Sequence, residues 1–174
     1  MEEDWTYPQK FDFIHGRALI TCFKDPAAVF RRAYDALAPG GYFEMQDVYF
    51  KPISNDGTVD GTMLQVWSAD LIEGARRLGR DWHCVLNYAQ WFREIGFENV
   101  VEWKSAWPQN TWPRGEKQKT LGLWNQANAL DSLNAVTMAM MTRSFGWTAA
   151  DVELRLVDVR RDVKDKSIHA YYPM

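Results

Sequence analysis

Apolar positions recur with two periods along this chain, and their order predicts alternating strands and helices. Phe11, Phe13 and Ile14 form a short apolar run that ends in His15-Gly16-Arg17, the form of a buried strand. Asp25-Pro26 opens a helix, because Asp accepts from first-turn N–H groups and Pro has no N–H to leave unbonded. Phe30, Ala33, Tyr34 and Leu37 then fall at helical spacing and give that helix one apolar stripe. Pro39-Gly40-Gly41 stops it, and Tyr42-Phe43-Glu44-Met45 begins a second strand. The result is a βαβ unit, whose two strands run parallel. Open parallel sheets place ligands outside the carboxyl ends of their strands. Here those ends carry His15-Gly16-Arg17 and Gln46-Asp47.

The same reading carries to the C-terminus. Residues 1–10 are a polar lead-in with Trp5 and Tyr7 as packing anchors. Lys51–Gly61 is a loop rich in Gly, Asn, Asp and Pro. A helix over Met63–Leu78 follows from Met63, Trp67, Leu71, Ala75 and Leu78, with Gly79 just past its end. Tyr88, Trp91, Phe92 and Ile95 line a helix over Asn87–Ile95, stopped by Gly96. Phe97–Trp107 reads as a strand, since Val101 and Trp103 alternate with Glu102 and Lys104. After a loop at Pro108–Lys119, a long helix spans Leu121–Phe145 with Leu130, Leu133, Thr137, Met140 and Met141 as its stripe. Thr148 caps a last helix from Ala149 to about Val163, and Ile168–Tyr172 is a terminal strand. The expected organisation is one domain over residues 1–174, without internal repeats.

Composition narrows the function classes. A net charge of −3, with basic and acidic residues interleaved, argues against a nucleic-acid binder. No apolar run approaches the ~20 residues that span a bilayer, so no membrane segment is expected. Cys22 and Cys84 make no disulfide framework and point to a reducing, cytoplasmic setting. Nine Trp, nine Phe and seven Tyr can fill a core, and they also suit a pocket for a flat, hydrophobic small molecule.

Several ordered blocks resemble one family. WTYPQKFDFIHGRAL, LAPGGYFEMQD, IGFENVVEW and FGWTAADVELRLVDVRRDVKDKSIHAYY are similar to the C-terminal half of the LaeA-type methyltransferases of fungal secondary metabolism. The resemblance covers essentially the whole chain. It implies the class I S-adenosylmethionine-dependent methyltransferase fold, a Rossmann-like α/β sheet. On it, Phe11–His15 would be the fourth strand, Tyr42–Met45 the fifth, Phe97–Trp107 the sixth and Ile168–Tyr172 the seventh. The fold expected is a truncated version of that sheet, with about four strands and helices on both faces.

The family binds its cofactor with a glycine-rich turn after the first strand and an acidic residue after the second. Glycine lets the backbone approach the ligand closely, and the carboxylate holds the ribose hydroxyls. Nothing before Trp5 supplies either, and Gly40-Gly41 is a turn between helix and strand. S-adenosylmethionine binding is therefore not expected of this chain alone. The leading expectation is a cofactor-independent biosynthetic enzyme, a cyclase or isomerase (pericyclases included), acting on a hydrophobic intermediate. Two alternatives stay open: a methyltransferase completed by another chain, and a non-catalytic partner protein. Losing the first strand would leave Phe11–His15 as a free edge, so a twofold homodimer through that edge is also expected.

Candidate residues follow from position. His15 ends a strand at the crevice and titrates near neutrality, which suits a general acid or base; it could equally orient the following loop. Arg17 could bind an anionic or enolate oxygen, or pair with Asp12 or Asp47. Asp47 lies where the resemblance puts substrate contacts, and its plainer role is a cap or an ion pair with Arg17. Tyr49 could add a hydrogen bond to a substrate. The resemblance places Trp67 and Trp112 at a substrate lid, while Met141 suits an adaptable pocket wall; each is as readily a core residue. His83-Cys84 are sequence neighbours and make a poor nucleophile pair, and His169 reads as core or surface. No metal-ligand spacing appears, so no metal is expected.

Overall fold

The βαβ unit forms. The computed structural model describes residue 3 and residues 5–174; of the polar lead-in, residues 1, 2 and 4 lie outside the described residues. Strands β1 (Phe11–Arg17) and β2 (Leu37–Gln46) pair in parallel, with Phe13 opposite Tyr42, Ile14 opposite Phe43, His15 opposite Glu44 and Arg17 opposite Gln46. Helix α1 (Pro26–Ala36) joins them, its first turn capped by the Asp25 carboxylate, which accepts from the Ala28 N–H at 3.0 Å. Leu37 is already extended and sits opposite Phe11 before the register shifts. The Pro39-Gly40-Gly41 turn is thus a bulge inside the paired segment, with Gly40 in the left-handed region at φ +81°.

The chain divides into two compact units, one of residues up to Tyr49 together with Arg80–Trp103, the other of Phe50–Gly79 together with Lys104–Met174. In the first, α1 and α3 (Tyr88–Ile95) pack together over the Phe43 face of the β1–β2 pair. Phe30 is fully buried at the centre, with ring centroids 4.8 Å from Tyr88, 5.1 Å from Phe92 and 5.5 Å from Phe43. Edge-to-face pairs of this kind contribute about 0.5–1.5 kcal/mol each beyond their buried area. The alternation sends Phe13, His15 and Tyr42 to the other face, where Phe13 is 54% and Tyr42 75% exposed. Among the described residues, helices therefore cover one face of this ladder, not both.

The second unit is built on α2 (Met63–Arg77), α4 (Glu116–Phe145) and α5 (Ala149–Lys164), with β3 (Ala106–Pro108) antiparallel to β4 (Tyr171–Pro173). Leu64, Leu71, Leu133, Met141, Val152, Leu156 and Val159 fill its core. Two of its buried polar groups, Asp162 and Asn110, hold helix ends. Asp162 of α5 accepts from the Met63 and Leu64 N–H groups at 2.6 and 3.2 Å, the free donors that open α2. Asn110 donates to the Val163 and Asp165 carbonyls at 3.2 and 2.9 Å, satisfying the end of α5. Thr148 and Asp151 make a reciprocal capping box at the start of α5.

The α/β class stands, while the strands differ from expectation in extent. The four strands form two separate ladders of two rather than one sheet among the described residues. Of the expected Phe97–Trp107 strand only Ala106 and Trp107 belong to β3, and Val101 and Trp103 are 83% and 86% exposed. The cause lies at the end of α3. Gly96 takes φ +116°, the Phe97 N–H turns back to the Phe92 carbonyl at 3.0 Å, and the Phe97 ring packs on Tyr34 and Phe43. Phe97 is committed to the helix cap and cannot begin a strand. The terminal strand is likewise shorter, because the Ile168 N–H bonds back to Asp165 and the His169 N–H goes to the Thr58 hydroxyl. Helix α4 begins earlier than its periodicity suggests, at Glu116 directly after Gly115.

Candidate functional site

The carboxyl ends of β1 and β2 are organised by Asp47. Its Oδ1 accepts from the backbone N–H of Leu19 at 2.8 Å and of Ile20 at 3.1 Å, and its Oδ2 accepts from the Tyr88 hydroxyl at 3.0 Å. These bonds fix the turn after β1, where Ala18 has φ +53° and donates its N–H to the Gln46 carbonyl at 3.0 Å. A left-handed residue with a Cβ costs about 1–2 kcal/mol, so the turn needs such an anchor. Burial pushes the Asp47 carboxyl above its usual range despite the bonds that favour its charge. Burial and the neighbouring Asp47 carboxylate raise the Tyr88 phenol far above its ordinary value.

The other two residues expected to act with Asp47 point elsewhere. His15 and Arg17 lie on the outward face of the ladder, whereas Asp47 is buried on the packed face. The His15 Nδ1 lies 3.1 Å from the Glu44 Oε2, and Gln46 donates to the Glu44 Oε1 at 2.7 Å. Those two bonds, Gln46 first, hold the Glu44 carboxyl below its ordinary range. Arg17 is exposed and makes neither of the expected ion pairs, with Asp12 or with Asp47. Tyr49 is half-buried with its ring 5.4 Å from His83, whose Nε2 is buried without a partner among the described residues. Cys84 is buried beside the Tyr88 hydroxyl at 3.9 Å, and desolvation raises its thiol pKa, which leaves it a poor nucleophile.

Three candidates fall in the second unit, and two of them are core. Trp67 is 6% exposed and donates from Nε1 to the Thr137 hydroxyl at 2.8 Å, tying α2 to α4. Met141 is 1% exposed on α4, one turn from Thr137. Trp112 differs. Its Nε1 donates to the Ala170 carbonyl at 2.9 Å, and its ring lies 5.0 Å from that of His169. His169 bonds through Nδ1 to the Asp56 Oδ2 at 2.5 Å, and that carboxylate also accepts from the Thr58 hydroxyl and N–H at 2.8 and 3.2 Å. These partners, His169 first, lower the Asp56 carboxyl from its ordinary 3.8 to about 2. Sequence reasoning does not pair them, since Asp56 and His169 are separated by 113 positions and no local pattern links the 51–61 loop to the terminal segment.

No group of three or more metal-ligating side chains occurs among the described residues. No helix among them is long and apolar enough to cross a membrane. Two glycines near the strand ends have local structural roles. Gly16, at the carboxyl end of β1, is filled from within, because an added Cβ would lie 2.4 Å from the Met45 sulfur. Gly40 lies toward the amino end of β2, away from the crevice.

Comparison with known proteins gives the chain its relatives. Residues 1–102 match the family described as methyltransferase domain. The chain is 35% identical over 173 residues to the probable methyltransferase tdiE of Emericella nidulans, covering 99% of this chain and 54% of that protein. It is 29% identical to the methyltransferase pytC of Aspergillus terreus, covering 99% and 53%, respectively. It is 27% identical to the secondary metabolism regulator laeA of Monascus pilosus, covering 98% and 47%. The chain thus spans about half the length of the curated relatives it matches. Proteins named methyltransferases overturn the expectation of a cofactor-independent cyclase or isomerase. That expectation took the missing donor-binding motifs as lost chemistry, whereas these relatives extend over roughly twice the length that is matched here. The chain belongs to the methyltransferase domain family.

Proposed function

We propose that this chain supplies the acceptor-side half of an S-adenosylmethionine-dependent methyltransferase of fungal secondary metabolism. The observation that supports the reading is the run of relatives, two of them named methyltransferases, over 98–99% of the chain but only about half of their own length. On this reading the donor is held by a segment bearing the glycine-rich turn and the ribose-binding carboxylate, whichever polypeptide carries it. The free edge of β1 and its exposed Phe13–Tyr42 face receive that segment. Alone, the chain closes the same edge with a second copy of itself, so the homodimer and the completed enzyme are competing states. His15 and Arg17, on the outward face of β1, then contact the incoming segment, while Asp47 shapes the crevice by holding the 17–20 turn. The two free cysteines, Cys22 and Cys84, suit a reducing cytoplasm.

The test is calorimetry with S-adenosylmethionine on the 174-residue chain, alone and co-expressed with the N-terminal half of the Emericella nidulans relative. Binding only in the co-expressed pair, with light scattering showing the chain as a dimer alone and as a heterodimer with its complement, supports the reading. Tight binding by the isolated chain removes the need for a donor segment. Failure of the two halves to associate, or association without binding, removes the methyltransferase reading.

A further inference from the structure

The second unit holds a charge-oriented histidine that the assignments above leave idle. His169, at the start of the terminal segment, has its Nδ1 2.5 Å from an Asp56 carboxylate that is itself fixed by two bonds from Thr58. The backbone N–H of His169 donates to the same Thr58 hydroxyl at 2.9 Å, so the loop and the histidine lock each other. Tyr171 donates to Asn55 at 2.9 Å and pairs with Ile53 through backbone bonds, which clamps the loop just before Asp56 as the His169–Thr58 bond clamps it just after. The Trp112 indole is pinned by its own bond to Ala170 and lies against the imidazole. An ionised carboxylate on Nδ1 keeps the proton there and leaves the Nε2 lone pair free. The imidazole is 41% exposed, and Nε2 has no partner among the described residues.

We propose that His169, oriented by Asp56 and walled by Trp112, is the proton acceptor for a phenolic or enolic hydroxyl on a flat acceptor molecule. The inference rests on the acceptor-half reading and names its substrate class. The proton-transfer step balances within the pair: the substrate O–H bond breaks, an N–H bond forms at Nε2, and Asp56 offsets the charge of the imidazolium beside the new oxyanion. A phenolic hydroxyl, at about 10, is acidic enough for a positioned imidazole to take its proton, whereas an aliphatic alcohol is far more weakly acidic. The indole supplies the apolar wall that a flat aromatic or conjugated ring requires.

The test uses 4-nitrophenol, whose phenolate is coloured, with the intact chain. Nitrogen-15 NMR of the imidazole should show the proton on Nδ1 in the free protein. Added 4-nitrophenol should move the Nε2 resonance and raise the bound phenolate fraction at pH 6.5. His169→Gln should weaken this binding about tenfold, the loss of one charge-assisted hydrogen bond. Asp56→Asn should shift the tautomer while keeping the fold, which the circular dichroism spectrum checks. A free-state proton on Nε2, or an Nε2 resonance that ignores saturating probe, overturns the proposal without reference to any variant. Methyl transfer restored by the complementary half but unchanged in His169→Gln overturns it while the acceptor-half reading stands. Probe binding through His169 with no donor binding in any combination keeps it and removes that reading.

Discussion

Removing the Asp47 carboxylate should unlatch the turn between β1 and α1, and the size of the effect follows from its three bonds. Asp47→Ala leaves the buried Ile20 N–H and the buried Tyr88 O–H without their acceptor, and the part-buried Leu19 N–H likewise. At about 1–3 kcal/mol for each orphaned buried group, the loss is about 2–6 kcal/mol. Relaxing Ala18 from φ +53° returns about 1–2 kcal/mol, which brings the expected loss to about 1–4 kcal/mol. Asp47→Asn is the discriminating control. Its amide oxygen still accepts from both N–H groups and its NH2 can donate to the Tyr88 oxygen, so stability at pH 7 should stay within about 1 kcal/mol of the parent. The pH dependence adds a sign. Burial raises the folded-state pKa of Asp47, so its contribution is fully present below the ordinary value of 3.8 and is lost as pH rises through the raised value. The Asn variant lacks that titration and should gain on the parent as pH rises from 4 toward neutrality. Urea unfolding followed by near-ultraviolet circular dichroism measures all three proteins. Equal losses for Ala and Asn, or an Asn-to-parent difference that does not change with pH, would refute the account of Asp47 as a desolvated anchor.

Two further outcomes are expected. Gly122→Ala on α4 gains about 1 kcal/mol in helix propensity, yet its Cβ would sit 2.0 Å from the Asn110 carbonyl oxygen, a backbone atom that cannot swing aside. The overpacking term of about 1–3 kcal/mol should win, and a thermal melt showing higher stability would contradict the packing of α4 on the 108–110 segment. Asp56 titrates with the opposite sign to Asp47: its folded value of about 2 lies below the ordinary 3.8, so its contribution is present above 3.8 and lost as pH falls through about 2. Melting temperatures of Asp56→Asn and the parent should converge on acidification, and a constant difference down to pH 2 would remove the His169–Asp56 pair as its cause.

The candidate site was legible only in part, for a reason visible in individual residues. The chain order groups His15, Arg17 and Asp47, because each lies at the end of a strand of one βαβ unit. Strand alternation then separates them, with His15 and Arg17 on the exposed face and Asp47 on the buried one. Trp67 and Met141 looked equally suited to pocket or core, and what decided for the core was the α2–α4 contact through Thr137. The Asp56–His169–Trp112 cluster is assembled from two loops and the start of a strand, segments without periodicity, so no pattern along the chain announces it.

By itself the sequence determined the elements that depend on local rules. The Asp25-Pro26 start, the Gly96 stop and the Thr148 cap each satisfy free backbone groups within a few residues, and they stand where the pattern put them. It also determined the family, through ordered blocks that span the whole chain. The tertiary structure decided whatever requires a distant partner. Val101 and Trp103 alternate as a strand should, but a strand exists only where another backbone completes its ladder, and Phe97 was already held by the end of α3. It likewise decided that Asp162 caps a helix 98 positions away and that His169 meets Asp56, because side chains far apart in sequence become neighbours only when packing closes the chain upon them.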